Sequence, residues 1–184
     1  NIIFDFDGVL VDSEILVARA FSRYLNDLGH NYDEELIFEF AGKKTVELVS
    51  FLSEKFLIKN KEEFFNNIMD IATSIYSNEL TTVDGSYEYV KNSKRELFIG
   101  SNSLKQRIIE GLNHVKLNNY IKEDRIFSFD MVKRPKPFPD IYLEVIDKFN
   151  LDKDQTVIIE DSVVGVQAGK AAGIKVIGLT AGGH

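Results

Sequence analysis

The chain has 184 residues, of which 22 are basic and 29 are acidic, and it carries a formal net charge of -7 and no cysteine. The absence of cysteine excludes disulfides, thiolate catalysis and metal sites with sulfur ligands, and the acidic balance disfavours nucleic-acid partners, whose phosphates require Lys and Arg. No apolar run approaches the roughly 20 residues of a membrane helix, and we therefore expect a cytoplasmic protein that has no membrane partner.

The first element is a short buried strand, predicted over residues 1–7, that ends in carboxylates. Between about residues 13 and 80 the apolar residues recur at helical spacing, without a proline, and predict four helices. The clearest stripes are Ala18, Phe21, Leu25 and Leu28, then Leu48, Leu52 and Phe56, and then Phe64, Ile68, Ala72 and Ile75.

After residue 85 the pattern changes to strands that alternate with helices. Apolar runs at 97–99, 126–128, 156–159 and 176–179 predict strands, and helical stripes lie at 108–112, 141–149 and 162–172. Ser103 and Gln106 match a capping box for the first of these helices. The repeated glycines Gly165, Gly169 and Gly173 predict that the last helix packs closely on the sheet.

The alternation implies a parallel sheet that is covered by helices on both faces. The sequence therefore predicts an α/β protein with a Rossmann-like parallel sheet core, formed by residues 1–12 and 83–184. An all-helical domain, residues 13–82, is inserted after the first strand.

Polar side chains follow several of the predicted strands, at the edge where parallel sheets bind ligands. These residues are Asp5 and Asp7, Ser101 and Asn102, and Glu160 and Asp161. A lone acidic residue at a strand end is usually a solvated turn or a helix cap, but four carboxylates repel one another unless a cation compensates them. Because the three histidines are scattered along the chain, the ligands are oxygens and the expected ion is Mg²⁺.

Lys136 lies in a loop that contains all three prolines of the chain, at positions 135, 137 and 139. Taken alone it would be an ordinary surface lysine. Proline fixes its own backbone angle and restricts the residue before it, so this loop is stiff. We therefore predict that Lys136 is held in a defined position near the carboxylates.

Four segments together resemble the motifs of the haloacid dehalogenase superfamily, in the branch of β-phosphoglucomutases and small-molecule phosphatases. Residues 5–14 read DFDGVLVDSE, 100–103 read GSNS, 136–140 read KPFPD, and 159–162 read IEDS with a glycine at 165. The segments follow the order of the family motifs and cover nearly the whole chain. The dehalogenases of the superfamily generally lack the second aspartate, which is present here as Asp7, so the resemblance favours phosphate chemistry.

The resemblance implies a role for each motif residue. Asp5 would be the nucleophile that forms an aspartyl phosphate, and Asp7 would protonate the leaving alcohol and then activate water. Asp5, the backbone carbonyl of Asp7, and Asp161 would hold Mg²⁺, with support from Glu160. Ser101, the backbone of Asn102, and Lys136 would bind the phosphoryl oxygens.

The inserted helices resemble the cap domain of this family, and the resemblance implies that some residues of the cap contact the substrate. The expected substrate residues there are Lys43 and Lys44, which open a predicted helix, and Glu14. Solvated lysines at a helix start are the alternative for the first two, although lysine opposes the helix dipole there. The chain departs from the family pattern in two places. The family commonly has glycine where this chain has Pro135. The family core also commonly continues beyond the end of this chain, so we expect the C-terminal end of the core to be truncated.

The predicted function is that of a Mg²⁺-dependent phosphatase, a phosphoric monoester hydrolase, that acts on a small sugar phosphate or sugar-acid phosphate. A mutase similar to β-phosphoglucomutase, which returns the phosphoryl group to a sugar, is the alternative with the same chemistry. A catalytically silent binding module is the alternative from another class. The expected partner is a small-molecule phosphate ester, and a monomer is the expected oligomeric state.

Overall fold

The computed structural model describes the backbone of residues 1–30 and 45–180. The chain forms two compact units. The first contains Asn1–Asp12 and the described chain from Leu80 onward, and the second contains the described part of Ser13–Glu79. The second unit ends three residues before the boundary predicted from the sequence, because residues 81 and 82 pair with a strand of the first unit.

The first unit is built on a parallel sheet with the strand order β5-β4-β1-β6-β7. The strands of the described chain are β1 (Ile2–Phe4), β2 (Val11–Asp12), β3 (Thr81–Thr82), β4 (Leu97–Ser101), β5 (Ile126–Ser128), β6 (Val157–Glu160) and β7 (Lys175–Gly178). Strands β2 and β3 form a separate antiparallel pair. All residues of β1 and β4 are buried, as expected for central strands with both faces covered.

Helices complete both units. They are α1 (Glu14–Asp27), α2 (Thr45–Lys55), α3 (Lys61–Glu79), α4 (Ser86–Asn92), α5 (Lys105–His114), α6 (Asp140–Phe149) and α7 (Val163–Ala171). The core of the first unit joins the sheet to α6 and α7 through buried side chains that include Ile3, Phe98, Phe127, Tyr142 and Ile158. The α/β fold with a helical insertion is therefore confirmed.

The second unit consists of α1, α2 and α3 in the residues that the structure describes. The Phe21 and Phe64 rings meet edge to face with their centroids 6.4 Å apart, a geometry typical of aromatic pairs. Arg23 of α1 pairs with Glu79 of α3 at 2.7 Å. The prediction of four helices includes residues 31–44, which lie outside the described residues.

Three details of the sequence analysis are wrong. Leu28 is 45% exposed, because α1 ends at Asp27 and Leu28 is only its capping residue. The capping box at Ser103 does not form: α5 is capped by Leu104 without a side-chain hydrogen bond. Helix α4 was not predicted, since it has only seven residues and a single buried side chain, Val90.

The close packing predicted for the glycine-rich helix is confirmed at two of its three glycines. A Cβ at Gly169 would lie 2.5 Å from the Val176 side chain, and one at Gly165 would lie 1.6 Å from the Glu160 carboxylate. Gly173 instead adopts φ +71° after the end of α7, a backbone conformation that favours glycine. Among the described residues, no helix has both the length and the apolar content that crossing a membrane requires.

Candidate active site

The carboxyl ends of β1, β4 and β6 bring most of the sequence-predicted site residues to one edge of the sheet. Asp5 follows β1 directly, and its backbone N–H donates to the Ile159 carbonyl of β6 at 2.9 Å. Ser101 and Glu160 are the last residues of β4 and β6. Because these strands are neighbours in the sheet, residues 155 positions apart in the sequence lie side by side.

Lys136 lies at the centre of this edge and is almost fully buried, with 6% exposure. Its Nζ donates to Asp5 Oδ1 at 2.6 Å and to Glu160 Oε1 at 2.5 Å. The ammonium group also lies 5.0 Å from the centre of the Tyr142 ring. One buried cation therefore joins two carboxylates that belong to different strands.

Burial and the mutual charges of Asp5, Lys136 and Glu160 together set the protonation of these three side chains. Burial raises the pKa of Asp5 to about 7, and Lys136 opposes that rise only in part. For Lys136, burial favours the neutral amine, but Asp5, Tyr142 and Glu160 together outweigh burial and raise the pKa of the ammonium group above its usual value. Burial also acts against the charged form of Glu160, yet Lys136 and the hydrogen bonds from Ser162 together hold the pKa of that carboxyl below its ordinary value.

Glu160 is held by hydrogen bonds on both of its carboxylate oxygens. Its Oε2 accepts from the backbone N–H of Asp161 at 3.0 Å, and from the backbone N–H and the hydroxyl of Ser162, each at 2.9 Å. The Tyr142 hydroxyl donates to Oε1 at 3.0 Å. The missing side chain at Gly165 leaves the space that this carboxylate occupies. The orientation of Glu160 is thus fixed by the start of α7.

Asp5, Glu160 and Asp161 form a set of carboxylates that fits a hard cation. Each offers an oxygen, and these three oxygens lie within 4.8 Å of one another. Gly8 adopts φ +76°, and a Cβ there would lie 1.9 Å from an Asp161 oxygen. Carboxylate oxygens are ligands that suit hard cations such as Mg²⁺. The carboxylate of Asp7 does not belong to this set, and the contribution of its backbone carbonyl stays a prediction.

Asp7 lies beside the second motif and is half-buried. Its Oδ2 accepts a hydrogen bond from the Ser103 hydroxyl, and its Oδ1 lies 3.5 Å from the Arg107 guanidinium. Ser103, read from the sequence as a helix cap, therefore contacts a predicted catalytic carboxylate instead. The sequence pattern does not reveal this contact, because a helix cap and a site residue can use the same serine hydroxyl.

Asn102 fixes the backbone on both sides of Lys136. Its Oδ1 accepts from the Lys136 N–H at 3.0 Å, and its Nδ2 donates to the Lys136 carbonyl at 3.2 Å. Ser101 is buried, and its hydroxyl accepts from the backbone N–H of Ser103 at 3.1 Å. The second motif thus positions the lysine of the third, a contact that the sequence did not predict.

The three substrate residues predicted on the inserted helices stay predictions. Lys43 and Lys44 lie outside the described residues, and so does the side chain of Glu14 at the start of α1. Tyr142, in contrast, is a residue that the sequence analysis missed. Its signal was its place in the first turn of the helix that follows the Lys136 loop.

Replacing Lys136 tests how far the fold depends on this cation. Lys136→Met should lower the free energy of unfolding by about 3–5 kcal/mol at pH 8, because two buried carboxylates lose their counter-charge. The loss should shrink as the pH falls towards 5, since the unpaired carboxyls then bind protons. Urea unfolding in metal-free buffer measures both effects.

The exposed Lys170 provides the matched control, and Lys170→Met should change the stability by less than about 0.5 kcal/mol. A Lys136→Met protein as stable as the wild type at pH 8 would show that the buried pair contributes nothing to the fold.

Comparison with known proteins places the chain in a family. The sequence model of the haloacid dehalogenase-like hydrolases matches residues 2–179. A phosphorylated carbohydrates phosphatase from Thermotoga maritima is 33% identical over 95% of this chain and 82% of its own length. A 6-phosphogluconate phosphatase from Escherichia coli is 26% identical over 100% of this chain and 83% of its own length.

A solved structure assigned as a β-phosphoglucomutase from Thermotoga maritima superposes with a TM-score of 0.81. It is 32% identical, and the match covers 96% of this chain and 83% of the other. The resemblance seen in the four motifs is therefore confirmed along nearly the whole sequence. The chain is an enzyme of the phosphoric monoester hydrolase class, and it belongs to the haloacid dehalogenase-like hydrolase family.

Proposed function

We propose that this phosphatase is Mg²⁺-dependent and hydrolyses a small sugar phosphate or sugar-acid phosphate through an aspartyl-phosphate intermediate. The observation that carries the proposal is the buried Lys136, which bridges Asp5 and Glu160 beside a set of three carboxylates. This arrangement combines a carboxylate nucleophile, a cation for phosphoryl oxygens and oxygen ligands for a metal. The names of the relatives, which refer to phosphorylated carbohydrates and 6-phosphogluconate, support the substrate class.

In the first step, a carboxylate oxygen of Asp5 attacks phosphorus, and the bond between phosphorus and the ester oxygen breaks. Asp7 donates its proton to the departing alkoxide, which leaves as the alcohol. Lys136 and Ser101 stabilise the negative charge on the transferring phosphoryl oxygens. The fixed position of Lys136 supports this role, because Asn102 holds its backbone and little ordering remains to be done at the moment of reaction.

In the second step, water attacks phosphorus and the bond to Asp5 breaks, which releases inorganic phosphate and restores the carboxylate. Asp7, now ionised, accepts the proton of the attacking water. The Ser103 hydroxyl and the Arg107 guanidinium hold the Asp7 carboxylate in one orientation for both proton transfers. Both contacts favour the ionised carboxylate, which is the form that accepts the proton of water in this step.

Asp5 and Asp161, with support from Glu160, would hold Mg²⁺. When bound, the ion offsets the repulsion between the Asp5 carboxylate and the phosphate dianion. Burial raises the pKa of Asp5 to about 7, and a cation bound beside this carboxyl would favour its charged form. Substrate contacts from Lys43, Lys44 and Glu14 remain predictions of this proposal.

Replacement of the nucleophile tests the mechanism. Asp5→Asn should lower phosphate release from p-nitrophenyl phosphate at saturating Mg²⁺ by at least about 10³-fold, because an amide cannot form the covalent intermediate. The exposed Asp147 of α6 gives the control, and Asp147→Asn should keep wild-type turnover. Full activity of Asp5→Asn would exclude an aspartyl phosphate at this position. A wild-type protein that turns over none of a broad panel of phosphate esters would instead favour a binding module.

Metal removal tests the cofactor. Activity of the wild type should vanish in EDTA and return when Mg²⁺ is added. The Asp161→Asn variant should need at least about ten-fold more Mg²⁺ for half-maximal activity, because one charged ligand becomes neutral. A titration of the initial rate with Mg²⁺ measures this shift. Activity in EDTA equal to that in Mg²⁺ would contradict metal dependence, and an unchanged half-maximal Mg²⁺ concentration would remove Asp161 from the site.

A phosphosugar mutase is the second candidate, and the structural match to a protein assigned as a β-phosphoglucomutase favours its inclusion. Both reactions share the aspartyl phosphate and differ only in whether water or a sugar hydroxyl accepts the phosphoryl group. With β-glucose 1-phosphate and Mg²⁺, we expect free glucose and phosphate. Accumulation of glucose 6-phosphate without release of phosphate would show that the enzyme is a mutase.

A further inference from the structure

A cavity of about 370 Å³ lies at the edge of the first unit where β4 and β5 begin. It is bordered by the end of α4, by the segment that leads into β4, and by the two short 3₁₀ turns before β5, Leu117–Asn119 and Glu123–Arg125. Four cationic side chains line it: Lys91, Arg95, Lys122 and Arg125. The proposed catalytic residues contribute none of the lining, so the cavity is a separate feature of the fold.

The sheet itself separates this cavity from the catalytic edge. Leu97, the first residue of β4, lines the cavity, whereas Ser101, the last residue of the same strand, lies among the catalytic residues. At roughly 3.3 Å per residue, the two Cα atoms are about 13 Å apart along the strand. A small molecule in the cavity therefore does not contact the catalytic carboxylates.

The charge of the cavity is opposite to that of the whole chain. The chain has a net charge of -7, yet the lining contains four cations and one carboxylate, that of Glu96. Glu96 pairs with Arg125 at 3.0 Å. Lys91 lies 3.8 Å from Glu88, an exposed pair that contributes little energy. The cations thus exceed the carboxylates around one concave surface, and an anion bound there would relieve their mutual repulsion.

Arg125 is held in place before any ligand binds. Its guanidinium carbon lies 4.9 Å from the centre of the Phe98 ring and 5.5 Å from that of Phe149, and its side chain is only 25% exposed. A guanidinium that is already ordered loses little entropy on binding, and its planar N–H groups match the oxygens of a phosphate. Arg125 therefore adds an ordered guanidinium to the cavity lining, although one of its NH₂ groups already pairs with Glu96.

We propose that this cavity binds a small phosphorylated anion that carries two or more negative charges, at a site separate from the catalytic one. The volume is in the range of small-molecule pockets, and the net negative charge of the chain disfavours a nucleic acid as the occupant. The Tyr120 ring, 37% exposed and packed edge to face on Tyr87, offers an apolar surface to the carbon part of such a ligand.

The test is a titration of the ¹⁵N-labelled full chain with sodium pyrophosphate in metal-free buffer, followed by amide chemical shifts. The amides of Ser93, Arg95, Asn119 and Lys122 should shift and saturate, whether or not Ser101 and Asp161 also respond. The variant Arg95→Ala/Lys122→Ala should weaken binding at the cavity by at least ten-fold. The exposed Lys170 and Lys175 give a matched control, and Lys170→Ala/Lys175→Ala should stay within two-fold of wild type.

Inorganic phosphate, which carries less charge than pyrophosphate, should bind the cavity several-fold more weakly. The proposal is overturned if millimolar pyrophosphate, in at least about 10-fold excess over the protein, leaves the cavity amides unshifted. It is also overturned if the double variant binds pyrophosphate as tightly as the wild type. Equal shifts in sodium chloride of the same ionic strength would overturn it too, because general screening would then explain them. Since the shifts are read residue by residue, the result is independent of whether the enzyme is active.

Discussion

The buried ammonium group of Lys136 is the interaction on which the catalytic edge depends. It compensates Asp5 and Glu160, which come from neighbouring strands and are themselves buried. Two such carboxylates would repel each other strongly in a poorly solvated site. Because the lysine is placed by a loop far along the chain, the site can form only when β1, β6 and that loop are all in their native positions.

The surrounding residues serve mainly to keep these charges in place. Asn102 binds the backbone of Lys136 on both sides, and the start of α7 surrounds Glu160 with hydrogen-bond donors. Gly165 is necessary for the same reason, since any side chain there would overlap the Glu160 carboxylate. Residues that look like ordinary caps and helix glycines thus support a charged site, and the stability of the core and the geometry of the reaction are linked through them.

The two ends of strand β4 lie beside groups of opposite charge. At the carboxyl ends of the strands, acidic groups gather around one lysine and suit a divalent cation and a phosphate ester. At the amino ends of β4 and β5, basic side chains surround a separate cavity. A parallel sheet makes this division possible because all its strands start at one edge and end at the other, so each edge collects its own set of loops.

The sequence by itself determined the alternation of strands and helices, the family motifs and the identity of the acidic residues and Lys136, because these follow from local periodicity and from residue types at strand ends. Only the tertiary structure decided that Ser103 contacts Asp7 rather than capping α5, that Tyr142 binds Glu160, and that four scattered cations share one cavity. Such contacts join residues distant in sequence, and nothing in a local pattern specifies which side chains meet once the strands are paired.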